Sequence, residues 1–291
     1  MALFIKRMLG MAPTKEKDGE GYIPSPLGLM LGVDKVSGYR PAEVQNKYNG
    51  DKKILVVCTQ ERYFKMTNGV LFSTGNNVQE TAVPLMHLTD AGFDFDVATS
   101  SGSPAILEDW SVPRKDKNVL SFMKKHEARF ARPLSLADMI SNEGFNESSP
   151  YIAVFLPGGH GSMVGLPEDE NLGKLIRWIE RSDRYMITVC HGPAALMATA
   201  MNNTEPHPYS GYSMAIFPDS IDMQSPSIGY LPGHLPWYQC EKLAEQGISF
   251  INDKIEGHVH IDRKLLSGDS PKACDRLGKT AADTLLKEFS E

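Results

Sequence analysis

The sequence predicts an α/β chain built on a doubly wound parallel sheet, and three observations carry that prediction. Lys52-Lys-Ile-Leu-Val-Val-Cys58 and Tyr151-Ile-Ala-Val-Phe-Leu156 are apolar on consecutive positions, as strands buried on both faces are. Strand-like and helix-like segments alternate along most of the 291 residues. The β-branched run within Tyr185-Met-Ile-Thr-Val189 breaks at Cys190-His191-Gly192-Pro193 into the small-residue run Ala194-Ala-Leu-Met-Ala198. That is the pattern of a buried strand turning sharply into a helix.

In chain order, residues 1–50 read as an extended N-terminal arm rich in Gly and Pro, wrapping a neighbour or covering the rest. Residues 51–291 read as the α/β domain, with an insertion at about 100–150. The first strand leads through the loop Leu71-Phe-Ser-Thr-Gly-Asn-Asn77 to an amphipathic helix that Glu80 opens and Gly92 ends. Phe93-Asp-Phe-Asp-Val-Ala-Thr99 alternates apolar and polar and completes a βαβ unit. The insertion, with Trp110, Pro113 and a Lys-rich helix near 116–130, reads as a small lid subdomain. Tyr151–Leu156 runs into Pro157-Gly-Gly-His-Gly161, a turn whose bare backbone N–H groups approach something closely. A helix over 171–182 precedes the elbow. Beyond it, Tyr212–Phe217 reads as a strand ending at Pro218-Asp219, Tyr238–Gln246 as a helix, Leu265–Gly268 as a short strand, and Ser270-Pro271 as the cap of a C-terminal helix.

A formal net charge of −6 with no Lys/Arg cluster argues against nucleic-acid and anionic-membrane binding as a main role. The four cysteines, Cys58, Cys190, Cys240 and Cys274, show no C-x-x-C and no zinc spacing. They read as free thiols of a reducing compartment, and so of a cytoplasmic protein. No apolar run reaches membrane-spanning length, and Met1–Gly10 lacks the order of a secretory signal.

The chemistry falls at strand ends and a helix start, which a doubly wound sheet brings to one crevice. Cys190 on the elbow reads as a nucleophile, side chain outward, its thiolate favoured by the helix N-terminus that Gly192 and Pro193 open. His191 is the candidate base or proton shuttle, and Asp222 or Asp219 would fix its tautomer. Backbone donors for an oxyanion would come from Gly159 and His191. Glu80 would share a proton with the Cys190 sulfur or act as acid/base on the substrate.

Beyond these residues the chain resembles the ThiJ/PfpI superfamily, related to class I glutamine amidotransferase domains. Within it, the likeness is to the HchA type of heat-shock chaperone, also described as glyoxalase III and protein/nucleic-acid deglycase. The resemblance rests on Glu61-Arg-Tyr63, Leu71-Phe-Ser-Thr-Gly-Asn76, Val154-Phe-Leu-Pro-Gly-Gly-His-Gly161, Cys190-His-Gly-Pro-Ala-Ala195, Phe217-Pro-Asp219, Ile228-Gly-Tyr-Leu-Pro-Gly-His234 and Asp262–Pro271. It implies a flavodoxin-like fold working as a homodimer. It places the nucleophile on Cys190, its histidine on His191, the acidic third member on Asp222 and the glutamate beside the sulfur on Glu80. It implies glutathione-independent conversion of methylglyoxal to lactate and removal of glyoxal adducts from proteins and nucleotides. It also implies holding of unfolded client proteins; the alternative emphasis is a chaperone with weak aminopeptidase activity. Members of this type bind zinc through His, Glu and His, but the aligned positions here hold Thr89, Asp94 and His126. The expectation is therefore no metal and no cofactor.

Overall fold

The computed structural model describes residues 2–142, 144–200 and 205–290. A seven-stranded sheet forms its centre: β1 Lys53–Val57, β2 Asp94–Thr99, β3 Leu134–Ser135, β4 Tyr151–Leu156, β5 Tyr185–Val189, β6 Val259–Asp262 and β7 Leu265–Gly268. Their spatial order is β6-β7-β5-β4-β1-β2-β3. Neighbours run parallel except β6, which pairs antiparallel with β7 at one edge. From β1 the chain winds outward through β2 and β3. It then returns to β4 and winds the other way, so the switch point lies between β1 and β4, the doubly wound arrangement expected.

Alternation along the strands divides the core. Ile54 and Val56 face one layer, formed by α1 (Val78–Asp90), α2 (Lys117–Ala131) and α4 (Cys274–Phe289). Leu55 and Val57 face the other, with α3 (Glu170–Arg181) and the turn after β5. All four side chains are fully buried, which is why β1 shows no polar alternation in its sequence.

Several elements depart from expectation. Within 212–217 only Ser213–Met214 is a strand, and it pairs parallel with Ser249–Phe250 in a separate two-stranded sheet. The next two amides bond side chains instead of a ladder: Ala215 N donates to Ser267 Oγ at 2.9 Å and Ile216 N to Asn252 Oδ1 at 3.0 Å. After the elbow the small-residue run forms a 3-10 helix, Gly192–Thr199, rather than an α-helix. The stretch 100–150 adds β3 to the sheet edge and α2 to one face. The arm contains two short strands, Thr14–Lys15 and Tyr22–Ile23, in a small sheet with Leu71–Ser73 and Tyr63–Lys65. A short helix, Pro26–Gly32, follows, with Ser25 Oγ accepting from Gly28 N.

Candidate active site

Cys190 stands one residue beyond β5 at φ +58°, a backbone conformation that side-chain-bearing residues seldom adopt unless the surroundings hold them there. Gly192 permits the turn: a Cβ there would meet Leu156 O at 2.2 Å. The thiol does not point to open solvent as expected. It is 5% exposed and lines a cavity of about 190 Å³ at the switch point.

His191 Nδ1 lies 3.3 Å from Cys190 Sγ, and its Nε2 lies 2.8 Å from Asp222 Oδ2. Of the two aspartates the sequence left open, Asp222 is the one that meets the histidine. Asp219 is spent on structure, accepting from Cys240 N at 3.0 Å and Glu241 N at 2.9 Å. The other oxygen of Asp222 meets His160 Nε2 at 2.9 Å. The rings of His160 and His191 lie against each other, tilted by 34° with their centroids 3.9 Å apart. Burial alone would raise the Asp222 carboxyl, but the two imidazoles on its oxygens hold it well below the usual carboxylate range. Burial pushes the His191 imidazole down and His160 adds to that, against the pull of Asp222.

Glu80 does not open α1. Asn77 is the N-cap, its Oδ1 accepting from Glu80 N at 3.1 Å, so Glu80 is the third helical residue and points inward. It is 1% exposed, its two carboxyl oxygens lack any nitrogen or oxygen partner among the described residues, and it faces the Cys190 sulfur. Gly158 makes room for this: a Cβ there would stand 2.2 Å from Glu80 Oε2 and 2.8 Å from Cys190 Cβ. Burial pushes Glu80 up to about 8, so it carries its proton at neutral pH. Burial and the charge of Glu80 also lift the Cys190 thiol well above its ordinary value. The expectation of an acidic thiol at a helix N-terminus is thereby corrected. A 3-10 turn offers little dipole, and burial of the thiol, the largest cause, outweighs it. Once Glu80 is protonated, the same carboxyl donates to sulfur and favours the thiolate it would otherwise oppose.

Gly159, at φ +105°, and His191 both present backbone N–H groups that no backbone carbonyl takes among the described residues. The sequence reading treated His160 as a loop residue and did not single out Glu108, yet both are buried and line the cavity. His160 stands at the carboxyl end of a central strand, the same ground on which Cys190 was found. Glu108 carried no such mark.

The positions of the family's zinc ligands do not fit a metal. Thr89 Oγ1 donates to Met86 O at 3.0 Å. Asp94 is paired with Arg129 at 2.7 Å and Lys53 at 3.8 Å. His126 packs against Phe95 and Phe122. A guanidinium thus supplies the positive charge beside Asp94.

Sheet order, elbow and buried Cys-His-Asp contact together define a doubly wound α/β protein with a cysteine at the switch-point crevice. Residues 71–232 match the model of the ThiJ/PfpI family-like group, and the chain belongs to the ThiJ/PfpI family. It is 44% identical over 273 residues to the protein/nucleic acid deglycase HchA of Escherichia coli O157:H7 (strain EC4115 / EHEC), covering 94% of this chain and 95% of that one. The identity and coverage are the same for HchA of the K12 / DH10B strain. In fold it is similar to glyoxalase III from Candida albicans, with TM-score 0.61, 18% identity, and coverage of 80% of this chain and 97% of that one. It is similar also to the 24 kDa Rapid Encystment Protein of Francisella tularensis, with TM-score 0.66, 20% identity, and coverage of 80% and 99%.

Proposed function

We propose that the chain is a deglycase and glutathione-independent glyoxalase, acting through Cys190 on methylglyoxal, glyoxal and their adducts with proteins and nucleotides. The observation that carries this reading is the contact set around one sulfur: His191 Nδ1 at 3.3 Å, and the buried Glu80 carboxyl against it. The 44% likeness to proteins named protein/nucleic acid deglycase supports the substrate class.

The chemistry follows from the groups present. Asp222, ionised, takes the N–H at His191 Nε2, so Nδ1 is left as an acceptor for the thiol proton. The thiolate adds to the C1 aldehyde of a 2-oxoaldehyde to give a hemithioacetal, and the N–H groups of Gly159 and His191 face the oxyanion. His191 or Glu80 moves the C1 proton to C2 through an enediol, giving a thioester of the 2-hydroxy acid. Water cleaves it and returns the thiol. With an amine adduct, whose C1 is a carbinolamine, the carbon–sulfur bond forms as the carbon–nitrogen bond breaks, and the amine leaves with a proton to give the same hemithioacetal.

Lactate formation from methylglyoxal without glutathione, measured for wild type and Cys190→Ala, tests the reading. Lactate from wild type alone supports it, and a folded, reduced wild type that makes none overturns it. A second reading, a holding chaperone working as a cytoplasmic homodimer, draws on the arm. Met8, Leu9, Met30 and Leu31 there are 61–74% exposed, surface that a second copy or an unfolded client would cover. Suppression of client aggregation that persists in Cys190→Ala would separate it from the enzyme.

A further inference from the structure

Glu108 is a second buried carboxyl group on the cavity, and the chemistry above does not use it. It is 2% exposed and lines the same cavity as Cys190, Glu80 and His160. Its backbone is pinned, with N donating to Asn76 O at 3.0 Å and O accepting from Ser111 Oγ at 2.9 Å. Thr74 Oγ1 donates to its Oε1 at 2.7 Å, while Oε2 is buried with no hydrogen-bond partner among the described residues. A buried polar oxygen left unpaired is costly, and folds keep one where something else completes it. Burial pushes this carboxyl up to about 8, the Thr74 hydroxyl pulling the other way, so Glu108 is a neutral acid at neutral pH. Thr74 occupies Oε1, so Oε2 is the oxygen left to complete a bond with a ligand, and with the acid proton on it that bond is a donated one.

We propose that Glu108 Oε2–H donates to the oxygen on the carbon next to the one Cys190 attacks, and so selects aldehydes with an α-oxygen over aldehydes without one. The inference rests on the cysteine-addition reading above. Two buried acids then divide one small substrate. Glu80 stands beside the sulfur, where C1 changes; Glu108 holds the C2 oxygen. That oxygen gains negative charge as the C1 proton leaves and the enediol forms, so a fixed donor there binds the transition state more tightly than the ketone. Glu108 transfers no proton in this scheme; it remains an acid throughout.

Methylglyoxal and propanal share three carbons and differ at C2, which makes them the test pair. Methyl methanethiosulfonate, which carries no carbonyl, labels Cys190, and peptide mass spectrometry reads how much of either aldehyde protects it. Wild type, Glu108→Gln and Glu108→Leu are compared as full chains. The expected result is a methylglyoxal concentration for half protection at least tenfold higher in Glu108→Leu than in wild type. Propanal should be unchanged within twofold, and Glu108→Gln, which keeps a donor, should stay near wild type. A Glu108→Leu value for methylglyoxal within twofold of wild type overturns the inference. So does an equal rise for both aldehydes, which marks general damage to the thiol. Lactate measured in the same samples separates the two readings. Wild type that is protected but makes no lactate removes the turnover chemistry and leaves the Glu108 result to be judged by protection.

Discussion

Asp222 holds His191 by the nitrogen farther from the sulfur, Nε2 to Oδ2 at 2.8 Å, and so commits the nearer nitrogen to Cys190 at 3.3 Å. The same carboxylate takes His160 on its other oxygen at 2.9 Å. An asparagine can accept through one atom only and must donate through the other. In Asp222→Asn the charge facing both imidazoles is gone and only one of them can still donate to the side chain, so the tautomer of His191 is no longer fixed. The expected fall in kcat/KM for methylglyoxal is about 10²–10⁴-fold, the range over which a misoriented catalytic histidine is costly. A loss under threefold would show that His191 does not act through Nδ1.

His160→Ala should weaken turnover less. It leaves Asp222 Oδ2 on His191 but removes the tilted ring 3.9 Å away and the bond to Oδ1. A fall of about 10–100-fold in kcat is expected, the scale seen when a group that orients a functional ligand is removed. The kcat-against-pH curve should shift as well, because His160 opposes protonation of His191. An unchanged curve alongside reduced stability would reduce His160 to packing.

Glu80 links the site to stability. Its carboxyl is raised from 4.5 to about 8 by burial, so the folded chain keeps a proton that the unfolded chain loses. The stability tied to that proton is complete below pH 4.5 and is lost as pH rises toward 8. Glu80→Gln cannot ionise and escapes the loss. The difference in Tm, variant minus wild type, should grow from pH 5 to pH 8, while lactate formation falls because no proton remains to share with sulfur. A Tm difference flat across this range would place the Glu80 carboxyl near its ordinary value.

Gly158→Ala tests the crowding that brings the two groups together. The added methyl would stand 2.2 Å from Glu80 Oε2 and 2.8 Å from Cys190 Cβ, so one of them must move. A loss of about 1–3 kcal/mol in chemical unfolding is expected, as for overpacking elsewhere, with a large loss of turnover. Wild-type turnover in this variant would mean that Glu80 need not face the sulfur.

The main sheet was legible in sequence because β1, β4 and β5 are buried on both faces, and β4 and β5 run into Gly and Pro just beyond their ends. Cys190 and His191 were legible as residues of one crevice because they follow the end of a central strand, and Glu80 because it lies in the first turn of a helix. Asp222 was not separable from Asp219 by pattern, since both follow one proline on one short helix, and only tertiary contact distinguishes them. The resemblance favoured Asp222. Burial decided what pattern could not. The thiol's raised protonation, the proton on Glu80 and the free oxygen of Glu108 depend on surroundings drawn from distant segments. Residues 212–217 misled because the backbone amides of Ala215 and Ile216 bond Ser267 and Asn252 side chains rather than strand partners.

One carboxylate gathers several of the bonds that hold the start of the arm, which gives a last prediction. Glu16 Oε1 accepts from Arg62 at 2.6 Å and from Ser73 Oγ at 2.5 Å, and Oε2 accepts from Tyr63 at 3.0 Å and Gly21 N at 3.1 Å. Burial works against the charge, but these donors together hold the carboxyl below its ordinary 4.5. Its contribution is therefore present above 4.5 and lost as pH falls below that value. Downstream the arm supplies Leu31, Gly32 and Asp34 to the cavity wall. Glu16→Gln removes the charge while keeping the shape. Limited proteolysis at pH 7 should then cut within residues 10–50 several-fold faster than in wild type, and KM for methylglyoxal should rise with kcat little changed. Cleavage of wild type should rise toward that of the variant only as pH falls below 4.5. Equal cleavage of both proteins at pH 7 would mean that the small sheet, and not this carboxylate, holds the arm.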